Sequence, residues 1–189
     1  MRIATRRFVL RDFEEADRAA FRSYARDPRY LAFYGPEDRD PEHAESLLDA
    51  YAKSAAAVPR VDYHLAIVTR APPGFLAGCC RLVRTGKPEG TAELGLELAA
   101  IHWGRYTYAM EISRALLAFA FGELGLDEIT GVTSSANVPV RRLALWFGAE
   151  QIGEETGPAW MSAHGWSEQV WHITREAWQQ SLPTGSSAA

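Results

Sequence analysis

The stretch Glu93-Leu94-Gly95-Leu96-Glu97-Leu98-Ala99-Ala100-Ile101-His102-Trp103-Gly104-Arg105-Tyr106-Thr107-Tyr108-Ala109 constrains this chain more than any other. It reads as a strand, a short irregular loop and then a long helix opening near Ala109. The first N–H groups of such a helix have no partner within it, and the helix dipole adds partial positive charge there. A strand that feeds a helix start through an open loop is therefore an anion site, and a phosphorylated cofactor is the ligand it suggests.

Composition narrows the setting. A chain of 189 residues is long enough for one domain with a substantial core. A formal net charge of −4 argues against a nucleic-acid binder, whose footprint is basic. Such a surface suits a cationic or amine substrate, and equally plain solubility. The apolar runs are too short to span a membrane, and the opening Met1–Arg7 lacks an apolar signal core, so a cytoplasmic location is expected. The two cysteines, Cys79 and Cys80, are adjacent; on a strand they point to opposite faces and make a poor disulfide. No metal-ligand spacing is visible, and no metal is expected.

Periodicity predicts a strand at Arg7–Arg11 and a helix through Glu15, Ala16, Ala19, Ala20, Phe21 and Tyr24, capped by Asp12 or a neighbour. Asp27-Pro28 ends that helix. Asp40-Pro41 opens another, with Leu47, Leu48, Tyr51 and Ala55 as its stripe. Strands at 62–69 and 75–83 form a hairpin about Pro72-Pro73-Gly74, and Glu93–Leu98 follows as the next strand. The long helix is expected over Ala109–Leu124, closed by Gly125. A strand at Glu128–Ser134, a helix from Asn137-Val138-Pro139 to Phe147, and strands near Ile152 and Val170–Thr174 complete the order. The expectation is an α/β (α+β) fold: one domain over 1–181, its mixed and mainly antiparallel sheet flanked by helices, with a frayed tail over 182–189.

Several of these segments together resemble the GNAT acyltransferase superfamily, and within it the ribosomal-protein N-acetyltransferase (RimJ/RimL-like) branch. Thr5-Arg6-Arg7-Phe8-Val9-Leu10-Arg11 is similar to that branch's first strand, and Glu93-Leu94-Gly95 to the strand before its cofactor loop. Trp103-Gly104 followed by Tyr108-Ala109-Met110-Glu111 resembles its Trp-Gly-x-Gly-Tyr-Ala-Thr-Glu loop. Phe121–Ile129 resembles its handover from long helix to strand, and Asn137, Arg142 and Gly148 keep the spacing of its next helix. The loop carries one extra residue, Thr107 stands where the pattern has Gly, Val140 where it has Ser, and Ala149 where it has Phe. A Cβ at Thr107 makes a positive φ costly, so the loop is expected to take another path.

The resemblance implies acetyl-CoA as co-substrate and direct attack by a primary amine, on a protein N-terminus or a small molecule. The pyrophosphate would lie on N–H groups from Arg105 through Tyr106, Thr107 and Tyr108 to Ala109, with Arg105 adding charge. Backbone groups of Leu96 and Leu98 would hold the acyl oxygen and the pantetheine arm. Asn137 and Arg142 match the resemblance on the second helix, and Asn137 is equally an ordinary helix cap.

Glu93 and Glu97 lie four apart on one strand and share a face, so either can take the amine proton, directly or through water. Their alternative role is a solvated face or a salt bridge. Tyr108, with Tyr106 beside it, can return a proton to the departing thiolate, and packing with a surface hydroxyl is the alternative. His64 and His102 titrate in the useful range but show no partner spacing. Trp160-Met161-Ser162-Ala163-His164-Gly165-Trp166, with Tyr30, Phe33 and Tyr34, suits an acceptor mouth, a homodimer surface or a loop covering the core. Two functions other than transfer remain open at this point: a non-catalytic acyl-CoA-binding module, motivated by Thr107 and Val140, and a protein-interaction domain.

Overall fold

A computed structural model describes residues 1–182, so the tail expected from 182 onward lies, beyond its first residue, outside the described residues. The strands are β1 (Arg2–Ala4), β2 (Phe8–Arg11), β3 (Tyr63–Thr69), β4 (Leu76–Val83), β5 (Thr91–Leu98), β6 (Glu128–Ser134), β7 (Glu150–Glu155) and β8 (Glu168–Thr174). They form one sheet in the order β1-β2-β3-β4-β5-β6-β8-β7. Every pair is antiparallel except β5–β6. The mixed, mainly antiparallel α/β domain read from the sequence is the one observed.

Helices cover the sheet on both sides. They are α1 (Arg18–Ala25), α2 (Pro28–Leu31), α3 (Pro41–Ala56), α4 (Tyr106–Ala118), α5 (Val138–Trp146), α6 (Ala159–Ala163) and α7 (Arg175–Ser181). Phe21, Tyr24, Tyr30, Leu48 and Tyr51 of α1–α3 bury against Cys79 and Ala99 on one face. Ile112 and Leu116 of α4 and Leu143 of α5 bury against Leu65, Ile67, Cys80, Leu82, Ile129 and Ile173 on the other. Each large side chain taken fully from water contributes roughly 1.5–3 kcal/mol, so these two cores fix which helices lie on which face. Cys79 and Cys80 do point to opposite cores. Both thiols are free, and burial pushes their pKa values up, which keeps them protonated packing residues.

Several local expectations are corrected. The strand at Arg7–Arg11 begins at Phe8 and gains a partner, β1, which pairs Ile3 with Leu10. Asp12 caps no helix. Its carboxylate takes the N-terminal amine and pairs with Arg60 at 2.7 Å, while Asp17 accepts from the Glu14 N–H at 2.8 Å at the turn before α1. Asp40 caps α3 as expected, accepting from Glu42 N–H at 2.9 Å. The long helix starts at Tyr106 rather than Ala109, and after Ala118 it widens into a π-type turn at Phe119–Glu123. Leu124 N–H there bonds Phe119 C=O at 3.0 Å, five residues back. Gly125, at φ 65°, ends it. The short helices α2, α6 and α7 are additions that periodicity does not resolve.

Candidate functional site

The site begins where the sheet comes apart. β5 and β6 pair only from Thr91↔Glu128 to Glu93↔Thr130, although they run on to Leu98 and Ser134. On its other side β5 stays paired with β4 through Leu98↔Gly78. Ala99 N–H donates to Ala77 C=O of β4 at 2.9 Å. Backbone groups alternate sides along an antiparallel ladder, so Gly95 and Glu97 also turn theirs to β4. Leu94, Leu96 and Leu98 therefore turn theirs toward the departing β6. Leu94 C=O accordingly faces Gly131, where a Cβ would stand 3.5 Å away. Leu98 C=O takes the indole N–H of Trp103 at 2.7 Å. Among the described residues, no strand pair covers the Leu96 and Leu98 N–H groups on that side.

On one face of this gap stand two helix starts. After Leu98 the chain makes a tight turn at Ala100–His102, passes Gly104 at φ 76° and enters α4 at Tyr106. Tyr108 N–H bonds Arg105 C=O at 2.8 Å, whereas among the described residues Tyr106 and Thr107 N–H have no backbone acceptor. Thr107 is helical, and no described non-glycine residue has positive φ. The loop thus takes the other path expected of it: Gly104 makes the left-handed turn and Thr107 stays helical. Ala109 lies one turn into α4. Arg142 on α5 is exposed and its charge acts on Tyr106, whose pKa burial raises and Arg142 lowers in part. Asn137 caps α5, its Oδ1 accepting from Val140 N–H at 3.3 Å.

Tyr108 and Tyr106 point differently. The Tyr108 ring packs edge-on against Phe8 at 5.0 Å, its hydroxyl accepts from Arg105 at 2.8 Å, and the guanidinium groups of Arg7 and Arg105 lie over the ring. Tyr106 faces α5 and is 38% exposed. Glu111, one turn further along, anchors the helix. Its carboxylate accepts from Thr5 hydroxyl and Arg7 N–H, both at 2.6 Å, and from the Arg7 guanidinium at 2.8 Å. The helix start is therefore tied to the β1–β2 turn.

The other face carries the ionisable groups. Glu93, Gly95 and Glu97 alternate with the leucines and so point toward α1–α3. Glu93 accepts from Lys87 at 2.7 Å and from Arg81 at 3.4 Å. Burial raises its pKa, but Lys87 and Arg81 outweigh that and hold it below the usual carboxylate value. Glu97 accepts from the Tyr30 hydroxyl at 2.6 Å, and its other oxygen lies 3.9 Å from Arg81. Burial, with Glu97 adding, pushes the Tyr30 pKa far up, so that hydroxyl stays a donor. Tyr34 stacks on Tyr30 at 4.3 Å.

Both carboxylates and their shared face were legible in the sequence. Arg81 and Lys87 were not, because only strand register puts Arg81 opposite Gly95. His64 stacks on Tyr51 at 4.5 Å, and burial lowers its pKa. His102 sits in the turn before α4, its pKa lowered by burial and by Arg105. Both are uncharged at neutral pH, and each has a buried Nδ1 without a partner.

Three aromatic side chains from separate segments meet at the mouth. Phe33 lies 5.9 Å from Trp103 and stacks on Trp166 at 6.0 Å. Trp160 and His164 support Trp166 from behind. Among the described residues no group of three or more His, Cys, Asp or Glu side chains is placed to hold a metal, and no helix is long and apolar enough to cross a membrane.

Comparison with known proteins bears on the family and the fold. The family described as an acetyltransferase (GNAT) domain matches residues 7–150. An uncharacterised N-acetyltransferase of Bacillus subtilis, YoaA, is 24% identical over 152 residues, covering 80% of this chain and 84% of its own. A GNAT-family acetyltransferase structure from Bacillus anthracis superposes with a TM-score of 0.74 at 20% identity, over 93% of this chain and 99% of that one. The spermidine/spermine N-acetyltransferase SpeG of Vibrio cholerae, in mutant forms, superposes with a TM-score of 0.71 at 16% identity, over 92% and 96%. A Vibrio cholerae structure named for ribosomal-protein-serine acetylation gives 0.71 at 21% identity, over 92% and 97%.

Proposed function

Since the chain belongs to the GNAT family of acetyltransferases and is an acyltransferase, we propose that it transfers an acetyl group from acetyl-CoA to a primary amine by direct attack. The observation that carries this reading is the parting of β5 from β6. It leaves strand N–H groups unpaired between two helix starts on one face and paired carboxylates on the other. The chain's groups suit the co-substrate: unpartnered N–H groups at Tyr106 and Thr107, a glycine turn at Gly104, and Arg105 and Arg142 nearby.

Bound acetyl-CoA would supply an acyl carbon already activated as a thioester. Leu96 and Leu98 N–H groups are fixed donors for the acyl oxygen and the pantetheine amides, and donors held in place cost no reorganisation during reaction. The N–H groups of Tyr106 and Thr107, with Arg105, would hold the pyrophosphate, while Tyr108, whose own N–H bonds Arg105 C=O, and Ala109, one turn in, complete the helix start. Asn137 and Arg142 bound the same cleft from α5. Glu93 and Glu97 take the amine proton, directly or through water. A first-turn tyrosine of α4, Tyr108 or Tyr106, returns a proton to the thiolate. Membership of the RimJ/RimL-like branch stays part of this proposal, supported by the sequence likeness and by one of the neighbouring folds.

Calorimetric titration with acetyl-CoA, and with CoA alongside, tests the reading. Saturable binding in the micromolar range, followed by thiol release when primary amines are added, is the expected result. Absence of binding to either compound would overturn it. Of the two departures that motivate a non-catalytic acyl-CoA-binding module, Thr107 is answered, since it sits unstrained in α4, while Val140 still stands where the pattern has Ser.

A further inference from the structure

Arg81 packs against a glycine on the neighbouring strand. Its stem lies along β5 directly over Gly95, where a Cβ would meet Arg81 Nε at 2.8 Å, Cγ at 2.9 Å and Cζ at 3.0 Å. The guanidinium thus rests between Glu93 and Glu97, beside the point where β6 leaves. Its contacts with them are long: 3.4 Å to Glu93 and 3.9 Å to Glu97, the second beyond hydrogen-bond reach. Each carboxylate has a shorter bond elsewhere, Glu93 to Lys87 and Glu97 to Tyr30. A guanidinium has five donors in a planar fork, and here most of that fork is uncommitted while the side chain is 41% exposed.

The charges on this face settle what can approach. Arg81 and Lys87 balance Glu93 and Glu97. His64 is uncharged at neutral pH, and Tyr24, Tyr30, Tyr34 and Tyr51 all stay protonated because burial raises them. Among the described residues, both carboxylates that touch Arg81 already have partners, and the two cations repel a second ammonium group. A planar donor fork is free instead, and such forks bind carboxylates in bidentate fashion.

We propose, resting on the acetyl-transfer reading above, that Arg81 is a specificity-determining residue that binds a carboxylate of the acceptor. The acceptor is then an amine carrying a carboxylate on the same or the next residue, not a polyamine. With its ammonium at Glu97, such a molecule places its carboxylate on Arg81, and the aromatic mouth of Phe33, Trp103 and Trp166 takes the remainder. A free α-amino acid and a peptide with an acidic residue near its N-terminus share this chemistry.

The test measures acetyl transfer by the full chain to matched acceptors. These are an apolar amino acid and its carboxamide, a dipeptide with aspartate second and its asparagine counterpart, and spermidine. The expected result is a preference of about tenfold or more for the carboxylate member of at least one pair, with spermidine poorest. The amino-acid and dipeptide arms separate the two sources. Arg81→Gln should raise KM for the carboxylate acceptor until the pair is equal, leaving the Kd for acetyl-CoA unchanged. Arg81→Lys, which keeps the charge without the fork, should retain part of the preference. Equal rates within both pairs, a preference for spermidine, or a preference that survives Arg81→Gln would overturn the assignment while leaving acetyl transfer intact. Transfer to no amine at all would overturn both.

Discussion

Arg81 and Gly95 face each other across β4 and β5, and the arginine occupies the space a side chain at 95 would fill, with a Cβ there only 2.8 Å from Nε. The glycine is thus a seat, not a hinge. Gly95→Ala should lift the guanidinium off the strand at an overpacking cost of about 1–3 kcal/mol. Thermal unfolding should register a lower Tm. KM for the acceptor should rise more than the Kd for acetyl-CoA, and a variant with unchanged Tm and KM would sink this account.

Thr107 lies in the first turn of α4, on the path that its Cβ requires. If the residue strained a loop that prefers glycine, Thr107→Gly would stabilise the protein. In the helical first turn observed, glycine only adds freedom to the unfolded chain. Denaturant unfolding should therefore show Thr107→Gly less stable, by about 0.5–1 kcal/mol.

Glu111 joins α4 to the β1–β2 turn through three hydrogen bonds. Its pKa, raised by burial but lowered more by Thr5 and Arg7, ends below the usual value, so the charged form is the one that binds. Glu111→Ala leaves the Arg7 N–H without its acceptor and the Thr5 hydroxyl with only Phe8 C=O at 3.1 Å, and should cost about 1–3 kcal/mol. Because the same helix offers its start to the cofactor, calorimetry should also find weaker acetyl-CoA binding. Glu111→Gln should recover part of both losses.

The Lys87–Glu93 pair makes a pH-dependent contribution whose sign follows from the lowered Glu93 pKa. Its stabilising effect is present above the ordinary carboxylate value of 4.5 and is lost as pH falls through the lowered folded value. Lys87→Met should cost up to about 1 kcal/mol at neutral pH, since both side chains are partly solvated. Urea titrations repeated toward acid pH should find the wild-type advantage shrinking to nothing, and a difference that grows on acidification would contradict the pairing.

Glu93→Gln and Glu97→Gln, made separately, identify which carboxylate takes the amine proton. Loss of general-base help is typically about 10²–10⁴-fold. The variant lacking the base should lose kcat by that order while its acetyl-CoA affinity is kept. The other should change mainly stability and acceptor KM. Pre-steady-state thiol release measured on both variants makes the comparison direct.

Much of the fold was readable because its signals are local. Asp40-Pro41 starts α3 where a capping side chain and a ring with fixed φ must start it. Gly125 and Gly148 end helices at positive φ, which no non-glycine residue adopts among the described residues. Alternation along Glu93–Leu98 put both glutamates on one face, and the register bears that out. Local signals failed where distant partners decide the matter. The strand β1 forms only because Leu10 offers a neighbour to Ile3, and α7 is held partly by Trp178 against Phe121. Tyr106–Tyr108 are helical although no side chain caps them, because Glu111 pins the following turn to Thr5 and Arg7.

The sequence by itself determined the α/β class, most of its elements, the open loop into a helix start, and a pair of carboxylates on one strand face. These follow from periodicity, caps and glycines, which act over a few residues. Only the tertiary structure decided that β6 leaves β5 after Glu93, that Tyr30 caps Glu97, and that Arg81 rests on Gly95 between the two glutamates. Those relations depend on strand order, register and helices packing from the far side of the sheet. Cooperative burial of two cores sets them, not the preference of any single residue.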